Sequence, residues 1–160
     1  GAYINKETGR NMVLWDGACM VHEIFSRKRI LELQLRHPNA KLIAHPECEE
    51  VVLDMAEYIG STAGLLRFTQ EDEAQSYIVV TESGILHEMR KRSPEKEFIP
   101  APAEGTCACN DCPHMKLNTL EKVYICMKYE TPEVDVPEPL RSLAKKPIDF
   151  MLELSAKLNL

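Results

Sequence analysis

The stretch KLIAHPEC, residues 41–48, decides the fold, because it joins a short apolar run to a loop of reactive side chains. Short continuous apolar runs are typical of strands that are buried on both faces of a parallel sheet. Residues 49–59 follow with apolar side chains along one helical face, which predicts a helix. Residues 12–22 and 77–84 begin with the same kind of run and loop. The sequence therefore predicts repeated strand-loop-helix units.

Alternation of strands and helices predicts right-handed crossovers and an α/β fold, with a short parallel sheet flanked by helices. Ser26 is expected to cap one further helix, and Pro147 to lie in the first turn of the last one. These further helices are predicted at residues 26–37, 61–69, 117–129 and 147–158.

Reactive side chains follow the predicted strands. In sheets of this type, ligands bind beyond the carboxyl ends of the strands. The residues found there are expected to share one cleft, and this convergence indicates an enzyme. They are Cys19, His22, His45, Glu47, Thr81 and Glu82.

The composition narrows the choice of partners. The chain has 160 residues, 44% of them apolar, and a net charge of −6. This acidic balance argues against nucleic acid or an anionic membrane as a partner. No apolar run approaches the roughly 20 residues of a membrane span, and no signal peptide opens the chain. We therefore expect a cytoplasmic globular protein.

Three of the six cysteines, Cys107, Cys109 and Cys112, lie close together and are followed by His114. Such a group binds zinc, provides an iron–sulfur ligand or forms a disulfide. The spacing is cramped for a four-ligand zinc site, which favours one thiolate ligand with two neighbouring cysteines. Cys126 falls within a predicted amphipathic helix and is expected to be buried.

Each of the loop residues allows more than one interpretation. Cys19 is a metal ligand, a nucleophile or a small buried apolar residue. Pro46 fixes the backbone between His45 and Glu47, which suits an acid–base pair but also a simple helix entry. The hydroxyls in residues 60–62 suit either an anion site or plain helix capping.

Taken together, five motifs resemble the quinolinate synthase family, and they occur in the family's order. They are WDGACMVH (residues 15–22), AHPEC (44–48), IGST (59–62), VTESGI (80–85) and CPHM (112–115). The family condenses iminoaspartate with dihydroxyacetone phosphate, and phosphate loss, dehydration and ring closure then give quinolinate for NAD biosynthesis. The resemblance thus implies these two substrates, with aspartate oxidase or aspartate dehydrogenase as the upstream supplier.

The resemblance also implies a cofactor and its ligands. The family holds a [4Fe–4S] cluster through three cysteines, and one iron is left free as a Lewis acid. Cys19 and Cys112 match two of these ligands, whereas the third is not in this chain. Cys48 matches none of them. Cys107 and Cys109 fall where some members carry an extra, redox-sensitive pair.

Four residues match active-site positions of the family. Glu47 is implied as the general acid–base, supported by His45, and His22 is a further catalytic position. Thr62 is implied to hold a substrate carboxylate or phosphate, and Ser61 is an additional candidate for this role.

Complete family members are about twice as long and consist of three similar α/β domains around one cavity. By this comparison, residues 1–22 end the middle domain, residues 23–115 form the third domain with the loop of the cluster ligand, and residues 116–160 form C-terminal helices and a linker. The chain is thus expected to be the C-terminal half of a pseudo-symmetric enzyme, and inactive alone.

A non-enzymatic function is the alternative. In this hypothesis, Cys107, Cys109, Cys112 and His114 hold a structural zinc ion on an α/β interaction domain.

Overall fold

A parallel sheet of four strands lies at the centre of residues 1–117, the first of two units into which the chain divides. The structure is a computed structural model that describes residues 1–103 and 110–159. The strands are β1 (Lys41–Ala44), β2 (Tyr58–Ile59), β3 (Ser76–Val80) and β4 (Glu97–Pro100). Their spatial order is β2-β1-β3-β4, and all neighbours run parallel. The predicted α/β class is confirmed.

Helices connect and cover these strands. Those of the first unit are α1 (Ala2–Thr8), α2 (Met20–Glu23), α3 (Arg27–Arg36), α4 (Glu50–Leu53), α5 (Thr62–Glu71), α6 (Ile85–Arg92) and a 3₁₀ turn (Met115–Leu117). Ser26 is the N-cap residue of α3 as predicted, but its side chain makes no capping hydrogen bond. Residues 1–103 and 110–159 contain no helix with the length and hydrophobicity of a membrane span.

Both faces of the sheet are buried. Successive strand residues point to opposite sides, so each strand contributes side chains to both faces. On β3, Ile78 and Val80 pack in one core cluster, together with Ile30 of α3. Tyr77 and Val79 pack in the other. Burial of alternate residues on both sides explains why these strands read as continuous apolar runs.

Two predicted elements near the site differ from the structure. Residues 12–15 form no strand and are exposed, because no strand in the described part of the chain pairs with them. The helix predicted for residues 49–59 ends at Leu53. The chain then turns into β2, and the amide of Glu57, the residue before this strand, donates to the Leu42 carbonyl at 2.8 Å. Pairing with β1 thus replaces the end of that helix.

The second unit, residues 118–159 of the described chain, contains α7 (Leu120–Tyr129) and α8 (Leu140–Leu158). Pro147 lies inside α8 rather than in its first turn. The helix begins earlier because the Glu138 carboxylate accepts a hydrogen bond from the Ser142 amide, 3.2 Å away. Cys126 is exposed on α7, so its predicted burial is wrong. The domain boundaries after residues 22 and 115 stay a prediction.

We expect Tyr77→Phe to lower the free energy of unfolding by about 1 kcal/mol. The ring is fully buried, and its hydroxyl donates to Asp72 and to the Ala74 carbonyl, each 2.9 Å away. Urea unfolding followed by circular dichroism measures the change. Tyr124→Phe is the matched control, since Tyr124 is exposed. Equal stability of the two variants would contradict this expectation.

Candidate active and metal-binding site

The carboxyl ends of β1 and β3 bring distant residues together. His45 follows Ala44, the last residue of β1, and Thr81 follows Val80, the last residue of β3. Ala44 and Val80 are register partners, and the His45 amide donates to the Val80 carbonyl at 3.1 Å. The strand pairing thus fixes His45 and Thr81 side by side, as the sheet topology predicts.

Helix α2 places two further groups at this edge. Cys19 is its N-cap residue, and the His22 amide donates to the Cys19 carbonyl at 2.9 Å. The His22 ring is buried and stacks on the His45 ring, with 4.5 Å between the ring centroids. Its Nε2 lies 3.0 Å from the Thr81 hydroxyl, which is also buried. One helical turn therefore carries a thiol and an imidazole into the same site.

Glu47 lies over both imidazoles. Its Oε2 is 3.2 Å from His22 Nδ1 and 3.6 Å from His45 Nδ1. The first pair is close but lacks the alignment of a hydrogen bond, so the buried Nδ1 has no hydrogen-bond partner in the described residues. The Glu47 side chain is 56% exposed and is accessible to a ligand. A carboxylate beside two imidazoles can exchange protons with a bound molecule.

Burial controls the charge of the two histidines. It lowers the pKa of His22, and the neighbouring His45 lowers it further, while Glu47 acts in the opposite direction. Burial also lowers the pKa of His45, again opposed by Glu47. Both rings are therefore neutral at pH 7, and each has one donor and one acceptor nitrogen.

Cys19, His22 and Glu47 form a group that could hold a metal ion. One donor atom from each residue lies within 4.8 Å of the other two. Thiolate, imidazole and carboxylate are all ligands of transition metals.

Cys48 is chemically different from Cys19, although it lies nearby. Its Sγ donates to the Val80 carbonyl at 3.5 Å inside the core. Burial raises the pKa of the Cys48 thiol to about 12, so it stays protonated. A protonated thiol is a poor ligand and nucleophile. This supports the prediction that Cys48 is not a ligand.

The loop after β3 holds the segment of Cys112. The Glu82 carboxylate accepts hydrogen bonds from the Gly84 amide at 2.7 Å and from the Cys112 amide at 3.5 Å. The Ser83 amide donates to the Asn110 carbonyl at 3.1 Å, and the Ser83 hydroxyl donates to the Asp111 carboxylate. These bonds attach residues 110–112 to the carboxyl end of β3. Cys107 and Cys109, the predicted redox pair, lie outside the described residues.

Ser61 and Thr62 lie at the start of α5, directly after β2. The Ser61 hydroxyl accepts a hydrogen bond from the Gly64 amide at 3.2 Å, so Ser61 caps the helix. Thr62 is exposed on the first turn. The predicted contact of Thr62 with a substrate anion stays a prediction.

A cavity of about 840 Å³ opens beside Cys19 and Glu47, between these residues and α1.

Sequence reasoning placed Thr81 and Glu82 at the sheet edge without giving either of them a role. The sequence pointed to these two residues only through their position directly after a predicted strand. The partner of each side chain depends on which loops pack against this strand end. That packing cannot be deduced from spacing along the chain.

A thiol, two stacked imidazoles and a carboxylate lie at the carboxyl edge of the parallel sheet. The chain is therefore an α/β protein with a group of side chains that could hold a metal ion. Comparison with known proteins agrees with this class. The family described as "Quinolinate synthetase A protein" matches residues 1–153, and the chain belongs to this family.

Curated relatives named quinolinate synthase give the same result. Those of Trichodesmium erythraeum and Chloroherpeton thalassium are each 57% identical to this chain over 97% of its length. The relative of Thermosynechococcus vestitus is also 57% identical. This chain covers 48% of the first two relatives and 49% of the third. It thus spans about half the length of the curated relatives it matches.

Proposed function

We propose that this chain supplies half of the active site of a quinolinate synthase, which forms quinolinate from iminoaspartate and dihydroxyacetone phosphate. The observation that carries the proposal is the convergence of Cys19, His22, His45 and Glu47 on one edge of the sheet. These residues belong to the motifs that resemble the family. Membership of the family favours this function over a structural zinc domain.

Glu47 acts as the general acid–base in this proposal, with His45 beside it. Condensation, phosphate loss and dehydration each require a proton to be removed or delivered. The exposed Glu47 carboxylate reaches a ligand in the cleft, while the buried His22 ring and the half-buried His45 ring lie beneath it. A positioned acid–base group contributes typically about 10²–10⁴-fold to a rate.

Thr62, assisted by Ser61, binds an anionic group of a substrate. Iminoaspartate carries carboxylates, and dihydroxyacetone phosphate carries a phosphate. The first turn of α5 offers amide groups and a hydroxyl at the carboxyl end of β2. Helix starts of this kind favour carboxylate and phosphate groups.

Cys19 and Cys112 are the proposed ligands of a [4Fe–4S] cluster. Both are free and partly exposed, whereas the buried Cys48 thiol donates to a backbone carbonyl and is protonated. The donor chemistry of this edge therefore fits a cluster that is held by thiolates. When bound, such a cluster supplies an iron with an open position that acts as a Lewis acid. We place the third thiolate outside this chain.

We place the reaction in the cytoplasm, with aspartate oxidase or aspartate dehydrogenase as the supplier of iminoaspartate. Imines hydrolyse in water, so a supplier has to act close in time and space. The acidic net charge of the chain gives no support to a nucleic-acid or membrane partner.

The test uses a full-length protein that contains these 160 residues, reconstituted anaerobically with iron and sulfide. We expect it to form quinolinate from the two substrates. The 160-residue chain alone serves as the control, and we expect neither quinolinate nor stable cluster absorbance from it. A full-length protein with an intact cluster and no quinolinate formation would refute the proposed activity.

A further inference from the structure

The two stacked imidazoles have different hydrogen-bond partners on the described residues. His22 Nε2 lies 3.0 Å from the Thr81 hydroxyl. His45 Nδ1 lies 3.4 Å from the backbone amide nitrogen of Glu47. His22 and Thr81 are both buried, with 7% and 3% of their surfaces exposed. Because buried polar groups need partners, these contacts and the nearby Glu47 carboxylate together decide which nitrogen of each ring carries the proton.

The tautomer of His45 follows from its backbone contact. An amide N–H can only donate, so His45 Nδ1 must accept, and its proton sits on Nε2. No acceptor among the described residues takes this Nε2–H. It is therefore available to a ligand.

The tautomer of His22 follows from the carboxylate. An ionised carboxylate can only accept, and Glu47 Oε2 lies 3.2 Å from His22 Nδ1. The proton of His22 therefore belongs on Nδ1. A small rotation of the exposed Glu47 side chain then completes a hydrogen bond. Nε2 is left as an acceptor, and the Thr81 hydroxyl is its donor.

We propose that Thr81 is a positioning residue, whose hydroxyl donates to His22 Nε2 and holds the ring with its Nδ1–H toward Glu47. His45 has the opposite tautomer and offers its Nε2–H to a substrate oxygen. The two rings thus have separate tasks: His22 orients the carboxylate of the acid–base group, and His45 binds the ligand. This inference rests on the proposed function for its catalytic consequence, but the tautomers can be measured without any turnover.

The first experiment measures the ring nitrogens by ¹⁵N NMR at pH 8, in the full-length protein kept free of iron and labelled at histidine. His22→Gln and His45→Gln assign the signals. We expect His22 to carry its proton on Nδ1 and His45 on Nε2. Thr81→Val removes the hydroxyl at nearly constant volume. The hydrogen bond to His22 Nε2 is then lost, so the ¹⁵N signal of this nitrogen should shift while the signals of His45 stay unchanged. Thr81→Ser should retain the Nε2 signal.

Thr69→Val is the matched control. Thr69 is another fully buried threonine of the same unit, and its hydroxyl donates to the Leu66 carbonyl, away from the site. It should leave both tautomers unchanged. A proton on Nε2 of His22 in the unmodified protein would overturn the proposal, as would an unchanged ¹⁵N signal of His22 Nε2 in Thr81→Val. If Thr81→Val does not fold, Thr81→Ala provides the same comparison.

The second experiment measures kinetics of the reconstituted full-length enzyme. We expect Thr81→Val to lower kcat about tenfold, the effect of one lost buried hydrogen bond, with KM within about twofold. Thr81→Ser should recover kcat, and Thr69→Val should not change it. An unchanged kcat in Thr81→Val would refute the positioning role. If the unmodified enzyme forms no quinolinate, the proposed function fails, while NMR still decides the tautomers.

Discussion

Glu47→Gln is expected to slow quinolinate formation by the full-length enzyme by roughly 10²–10⁴-fold while leaving the cluster intact. Glutamine keeps the size and polarity of the side chain but can neither take up nor release a proton at neutral pH. Its position over the His22 and His45 rings is retained, so the loss reports proton transfer rather than folding. Steady-state kinetics and the cluster absorbance measure the two properties separately.

Glu49→Gln is the matched control for this substitution. Glu49 is exposed two residues further along the chain and precedes α4 without a side-chain capping bond. We expect its turnover to stay within about twofold of the unmodified enzyme, as is usual for surface positions. Full activity of Glu47→Gln would show that Glu47 acts only as a negative charge near the start of a helix and not as the acid–base group.

Cys19→Ser and Cys112→Ser are each expected to abolish assembly of the [4Fe–4S] cluster in the full-length protein. A serine hydroxyl is a hard ligand with a much higher pKa than a thiol, and it does not replace a thiolate on iron in a site of this type. Iron and acid-labile sulfide after anaerobic reconstitution give the measurement. The expected content is near zero in both variants.

Two other cysteines provide the controls. Cys126 is exposed on α7, and Cys48 is buried with its thiol on the Val80 carbonyl. Cys126→Ser and Cys48→Ser should both retain the cluster. A normal cluster in Cys19→Ser would show that the ligand assignment is wrong, and Cys107 or Cys109 would then have to be tested as ligands.

The sequence allowed the central part of the fold to be predicted but not its edges. β1 and β3 are buried on both faces, so their apolar runs are unambiguous. β2 has only two residues, and its existence depends on pairing with β1 rather than on a pattern of its own. β4 was not predicted, because it follows a charged turn and ends in a proline. Residues 12–15 have the pattern of a strand, but pairing requires a neighbour, which a local pattern cannot supply.

Some features of the candidate site could likewise be predicted from the sequence, and others could not. The convergence of Cys19, His22, His45 and Glu47 was predictable, because the carboxyl ends of parallel strands meet at one edge. The stacking of the two imidazoles was not, since it depends on how α2 approaches β1. The hydrogen bond between Thr81 and His22 joins residues 59 positions apart. Only the packed structure defines such a pair.

The end of β3 has a consequence for how the protein can tolerate sequence change. Thr81 binds His22 and the next residue, Glu82, binds the segment of Cys112. The Cα atoms of two consecutive residues are about 3.8 Å apart, a separation set by a covalent linkage rather than by packing. A core mutation that displaces β3 therefore moves the hydrogen-bond partners of His22 and of the Cys112 segment together. We expect the spacing between His22 and this segment to change little in such a variant.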